Sequence, residues 1–383
     1  AAPATVPTDT VIPLNAADDT DVLRSVCVVL SYRFDDVLDP EKLRRSFERL
    51  LDRPGWRKIG GRLRLNNKGR LEYHIPERFD EKRPIVTYSH VSHDISILEH
   101  PVASKLPRAT ERPSVQGDPN DFDELTCSAD APKTLNDYLT RDVPQLCLHI
   151  VCVPGAFLAE QRKKAIEEIR VDTGNDKAFV SDNDVLTAWF TRLAVSGFPK
   201  NSNKTVRIMN AFTLATVLGN DHLPSAKAYI SNAATEIYAF LTVRDFFTKP
   251  LSYAAYAVRR SMMEGGTREQ VEALAGMKRQ YLAKTGYSWP IFGDASMEMM
   301  SYSNWTKGKY FETDFSAAIV KEGFPRATRA EKPGFASMVQ FNAWSTKFDL
   351  RNLMPIMGKD AAGNYWLQGP LRDVVWNQID KEL

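Results

Sequence analysis

Six histidines, His74, His90, His93, His100, His149 and His222, are the side chains of this 383-residue sequence whose ordinary titration lies near neutral pH. One spacing stands out among them. His90-Val91-Ser92-His93-Asp94 sets an imidazole four positions ahead of a carboxylate, just before a long loop region. His149 stands inside the apolar run Leu146-Cys147-Leu148-His149-Ile150-Val151-Cys152-Val153, as a general base or as a core histidine satisfied by a backbone partner. The four cysteines, Cys27, Cys127, Cys147 and Cys152, form no C-x-x-C pair and have no histidines at metal-ligand spacing, so no metal is expected. They are expected to be reduced thiols in a cytoplasmic protein.

Strands and helices alternate along the chain to position these groups. Asp39-Pro40-Glu41 supplies an N-cap, a first-turn proline and an early acid, and Leu43, Phe47, Leu50 and Leu51 recur at helical spacing, predicting a helix over 40–51. Leu63 and Leu65 alternate with Arg62 and Arg64; Leu71, Tyr73 and Ile75 alternate again beyond the turn residues Asn66-Asn67-Lys68-Gly69. That pattern is a β-hairpin. Residues 104–144, rich in Pro, Asp and Ser, predict surface loops, and the 146–153 run a buried strand ended by Pro154-Gly155. Leu158, Ala165, Ile166 and Ile169 mark a helix. Ser181 with Asp184 three residues on opens another, whose wide apolar face is Val185, Leu186, Trp189, Phe190 and Leu193. Further on come a strand over 206–218, a helix over 251–263, a helix capped by Thr267-x-x-Gln270, a hairpin of 353–357 with 364–368 turning at Gly363, and a closing helix over 371–379.

Composition narrows the function classes. A chain of 383 residues, 43% hydrophobic, suits two folded domains. No run approaches the roughly 20 apolar residues of a membrane-spanning helix, and no membrane partner is expected. Fifty basic against 48 acidic residues give a net charge of +2, which excludes a dedicated nucleic-acid binder. Charge is uneven, with fourteen Lys or Arg against seven Asp or Glu between Glu41 and Arg83, a patch able to attract a phosphorylated cofactor or simply a solvated face.

Ser181-Asp182-Asn183-Asp184-Val185-Leu186-Thr187-Ala188-Trp189-Phe190-Thr191-Arg192 resembles the Asn-Asp-x-Leu-Thr-Ala-x-x-x-Arg helix of BAHD-type acyltransferases, particularly the fungal, trichothecene-acetyltransferase-like branch. Ser303-Asn304-Trp305-Thr306 followed by Thr313-Asp314-Phe315-Ser316 looks like the family's Asn-Trp-Thr segment leading into Asp-Phe-Gly, and Gly60-Gly61-Arg62-Leu63 like its "AGRL"-type strand. The resemblance covers about 40–83 and 146–379. It implies an α/β fold of two chloramphenicol-acetyltransferase-like domains, 1–176 and 177–383, with mixed sheets flanked by helices and a tunnel between them.

By carry-over, Thr306 is a candidate oxyanion donor, with a strand threonine bonded to its neighbour as the other reading; Asp314 is a structural partner of an arginine that shapes the tunnel; Asn304 and Trp305 line it; Asn183 and Asp184 cap and anchor their helix. The family's Asp-Phe-Gly glycine is Ser316 here. The family's catalytic His-x-x-x-Asp would follow a strand like 146–150, yet here that strand runs directly into Val151-Cys152-Val153-Pro154, which resembles a later segment. A piece of the pattern is therefore missing near 149–152, so the base is unknown, with His149 and His90 as the remaining candidates. An omitted segment accords better with a packed core than a true loss, which would expose apolar surface at ~25 cal/mol per Å2.

The resemblance implies a CoA-dependent acyltransferase of fungal specialised metabolism, with acyl-CoA as co-substrate and a small-molecule acceptor such as a polyketide or terpenoid, working as a monomer. Loss of the histidine motif would instead fit a repurposed scaffold: a cyclase or pericyclase, or a non-catalytic small-molecule binder.

Overall fold

The computed structural model of the chain describes residues 2–382 apart from 92–96, 98–99, 111–112, 129, 144, 146–163, 172–178, 220, 224–230, 288 and 348–350. The strand expected over 146–153 lies outside the described residues, with His149 and His93.

Local sequence signals set most elements. The helix Pro40–Leu51 starts where Asp39 accepts the N–H groups of Glu41 and Lys42, satisfying donors that the first helical turn leaves without intrahelical acceptors. Arg62–Leu65 (β4) and Leu71–Ile75 (β5) form the expected antiparallel hairpin with Leu65 opposite Leu71. The Asn66 side chain closes its turn by accepting from Lys68 N and Arg70 N. Thr10–Pro13 (β1) adds to the other side of β5, giving a three-stranded antiparallel sheet, β1-β5-β4. The described residues of 104–144 are mainly loop with short helices, among them Leu135–Thr140, whose Thr134–Asp137 capping box sequence reading passed over.

The second half holds the larger sheet, Tyr365–Leu367 (β12), Leu353–Lys359 (β11), Glu298–Asn304 (β8), Thr205–Thr213 (β6) and Ala234–Thr242 (β7), in the order β12-β11-β8-β6-β7. It is mixed: β8 runs parallel to β6 and β11, while β7 and β12 are antiparallel at the edges. The helices Asp182–Ala194 and Leu251–Gly265 pack on one face, bringing Val185, Ala188 and Val258 against Val206, Ile208, Met300 and Ile356, all nearly inaccessible. Residues 164–171 are helical as expected, with Ala165 and Ile169 in the same core.

Three expectations change in detail. The strand expected to Leu218 stops at Thr213, opposite Ala234; Leu214 N then bonds to Ala233 O and the chain turns into the short helix Ala215–Leu218. The last helix is Asp373–Glu382, starting after Leu371, which is spent in the core. Only the larger sheet is mixed, because the small one is built from a hairpin plus an antiparallel neighbour. Two further ladders cross between the halves: Met338–Ser345 (β10) pairs antiparallel with Val26–Arg33 (β2), and Ile319–Lys321 (β9) with Val37–Leu38 (β3). No helix among the described residues is long and apolar enough to cross a membrane.

Candidate functional site

The parallel strands β8 and β11 end side by side, with Ile356 opposite Asn304, and the helix Asp182–Ala194 begins at the same edge of the sheet. In open α/β sheets ligands bind beyond the carboxyl ends of parallel strands, where chain ends diverge and leave a crevice. A cleft of ≈ 310 Å3 lies here, lined by Ser181, Asp182, Asn183, Asn304, Thr306, Glu312, Lys359 and Tyr365.

One wall is the helix start. Ser181 accepts from Asp184 N, and Asp184 Oδ2 accepts from Ser181 N at 2.7 Å and Ser181 Oγ at 2.8 Å, a reciprocal capping box. The Asp184 carboxylate, 1% exposed, also takes Arg259 Nε at 2.8 Å and a second bond from Arg259 Nη2. Asp184 thus anchors the helix, and Asn183 lines the cleft beside it.

The second wall is the end of β8. The Tyr302 hydroxyl, buried against Thr191 Oγ1 at 2.7 Å, holds the strand to the helix, and burial pushes its pKa up. Two residues on, Asn304 Oδ1 accepts from Thr306 N at 2.9 Å and Thr306 Oγ1 at 2.6 Å, while Asn304 Nδ2 donates to Asn183 Oδ1 at 2.9 Å. Asn183, Asn304 and Thr306 are therefore brought together, 121 residues apart in sequence at the Asn183–Asn304 bond. Thr306 opens a 3-10 turn past the strand, and its hydroxyl proton is committed to Asn304. Trp305 packs away from the cleft, 5.2 Å edge-on to Phe341, with its indole N–H on Ser303.

Lys359, Tyr365, Asp182 and Glu312 complete the lining, and sequence reasoning missed all four as site residues. Tyr365 OH donates to Asp182 Oδ2, and Lys359 Nζ sits 4.9 Å from the Tyr365 ring centroid. Their position at the ends of the 353–367 hairpin was legible; that the hairpin reaches the 181–183 segment was not.

Asp314 is placed differently from the expectation. It is exposed, makes no ion pair among the described residues, and accepts Ser316 N at 2.8 Å; bonds from the Ser316 hydroxyl and N–H hold its carboxyl below the usual range. The buried ion pair of this region is instead Asp36–Arg329 at 2.8 Å, with both side chains at most 2% exposed and Asp36 also accepting Gly334 N. Gly334 packs against this turn: its carbonyl accepts Phe315 N, it has φ +78° and it leaves no room for a Cβ against the Ser316 backbone.

Among the described residues no histidine lines the cleft. His90 is exposed, His74 bonds Glu72 at 3.0 Å on β5, and the His100 ring accepts the N–H groups of Val102 and Ala103. Cys27 and Cys127 are free thiols, Cys147 and Cys152 lie outside the described residues, and no cluster of described residues is placed to hold a metal ion.

No family model matches the chain. It is 67% identical to the transcriptional regulator calD of Penicillium decumbens over 477 aligned positions, covering 100% of this chain and 97% of that protein. Since this chain has 383 residues, at least 94 of those positions belong to the relative alone. The acetyltransferase adrJ of Penicillium roqueforti is 30% identical over 484 positions, covering 100% of this chain and 97% of that one. Among solved structures, apo F. graminearum TRI101 superposes with a TM-score of 0.50 at 12% identity over 98% of both chains, a likeness of fold alone. The chain belongs to a family of fungal acetyltransferases that includes adrJ.

Proposed function

We propose that the protein transfers an acyl group from acyl-CoA to a hydroxyl or amine of a small polyketide- or terpenoid-like acceptor, in the manner of the trichothecene-acetyltransferase-like branch, as a cytoplasmic monomer whose halves, 1–176 and 177–383, meet around the substrates. The observation that carries this reading is the Asn183–Asn304–Thr306 hydrogen-bond relay, which joins the two motif segments at one cleft. Acyl transfer needs donors for the developing oxyanion and a base for the acceptor's proton. The cleft supplies neutral amide donors and a cation, Lys359. The base is assigned to a segment near His149; the alignment with the calD relative runs at least 94 positions longer than this chain.

The test is thiol release from acetyl-CoA and longer acyl-CoAs in the presence of hydroxylated acceptors, on protein whose peptide map across 146–157 has been read. Turnover supports acyl transfer. No turnover of any acyl-CoA, with a continuous Ile150-Val151 peptide, overturns it in favour of the second reading, a repurposed scaffold acting as a cyclase or binder, which the absence of a histidine among the described cleft residues favours.

A further inference from the structure

We infer that Asn183, not Thr306, presents a neutral, uncommitted amide nitrogen to ligand in this cleft, and that its partner is an amide carbonyl of a pantetheine-type arm, with Lys359 facing an anionic end. The inference rests on the acyl-CoA reading and deepens it.

The argument is one of forced orientation. An amide side chain has an oxygen that only accepts and a nitrogen that only donates, and which is which follows from the partners. Thr306 N is a backbone N–H and can only donate, so the Asn304 atom it meets at 2.9 Å is the oxygen. Asn304 therefore offers its nitrogen to Asn183, and the atom of Asn183 that receives it at 2.9 Å is again an oxygen. The remaining Asn183 atom is Nδ2, with two N–H groups and no hydrogen bond among the described residues. The same relay consumes the Thr306 proton on Asn304, leaving Thr306 Oγ1 only its lone pairs. A donor is thus fixed at the cleft by a backbone group two residues away from Asn304.

The remaining lining selects the ligand class. Lys359 is exposed and has no carboxylate within ion-pair distance among the described residues, whereas Asp182 and Glu312 place two carboxylates on the same cleft. A bare phosphate would meet Lys359 but also both acids, and an apolar ligand would strip water from all three charges without return. A chain carrying amide C=O and N–H groups with an anion at one end satisfies donors and acceptors together.

Isothermal titration of the purified protein with coenzyme A and with uncharged pantetheine tests this. Asn183→Asp keeps an oxygen for Asn304 Nδ2 but removes the free donor; Asn304→Asp keeps both Thr306 bonds but forces Asn183 to turn its nitrogen towards residue 304. Both variants are expected to weaken both ligands tenfold or more with an unchanged melting temperature, and Lys359→Met to weaken coenzyme A only. Wild-type affinity for pantetheine in folded Asn183→Asp or Asn304→Asp overturns the inference while leaving the acyl-CoA reading intact. Failure of the wild type to bind either probe overturns both, and is recognised because no variant is needed to see it.

Discussion

The five-stranded and three-stranded sheets each turn a face inward and fill it with opposite chemistry. Behind the larger sheet lie Val206 and Ile208 of β6, Met300 of β8 and Ile356 of β11, none more than 1% exposed. Behind the smaller, the inward residues of β4 are Arg62 and Arg64, 0% and 5% exposed, while Leu65 faces water at 48%. Asp142 gathers the arginines: Oδ1 accepts from Arg64 at 2.5 Å, Oδ2 from Arg83 Nε at 2.9 Å, and Arg62 Nε lies 3.6 Å away. Arg83 spends its other two nitrogens on Asp9, each at 2.7 Å. Arg62 donates to the carbonyls of Gly60 and Pro84, and its Nε and Nη2 make no hydrogen bond among the described residues. Apolar burial is non-directional and scales with area; a buried charge network depends on each partner remaining in place. The first sheet should therefore answer to volume, the second to charge and pH.

Ile208→Ala opens a cavity in the apolar face and is expected to cost about 3–4 kcal/mol in denaturant titrations, nearly independent of pH. A loss under about 1 kcal/mol would break the contrast from the apolar side. Asp142→Asn should cost less, about 2 kcal/mol, because a third of that side chain is in water and screened. Its signature is pH. Burial opposes ionisation of Asp142, but Arg83, Arg62 and Arg64 outweigh it and hold its carboxyl below the usual range. A depressed native pKa gives stability that is complete above the unfolded carboxyl's value of about 4 and is lost as pH falls through the native value. The variant should lose that acid-side slope, whereas Ile208→Ala keeps it; parallel slopes for wild type and Asp142→Asn would dissolve the distinction. The smallest effect is expected at Asp314→Ala, where the exposed carboxylate bonds only its own turn: no measurable change in melting temperature, with a clear fall pointing to an ion pair after all.

These contrasts also mark what could be read from sequence. The helix Pro40–Leu51, the 62–75 hairpin and the capping box at Ser181 are set by neighbours within a few positions, so residue type and spacing suffice. The alternation of Arg62, Leu63, Arg64 and Leu65 announces a strand but not which side faces inward; that choice follows from Asp142, 78 positions beyond Arg64. Similarly, family resemblance pointed to Asn183, Asn304 and Thr306 one by one. Their joining, and the arrival of Lys359 and Tyr365 beside them, depends on β11 lying parallel to β8, a pairing that no local pattern encodes. Asp36 and Arg329, 293 positions apart, could not be matched from sequence.

The β2–β10 ladder, flanked by the side chains of Ser25 and Ser345, 320 positions apart, has a consequence for biosynthesis. The only strand that β2 pairs with among the described residues is made roughly 300 residues after it. At ribosomal speeds of about 5–20 residues per second its unpaired backbone edge waits tens of seconds for its partner. During that wait the nascent chain offers an open strand to its neighbours on the same messenger, and chaperone cover of that edge will govern the yield of folded protein.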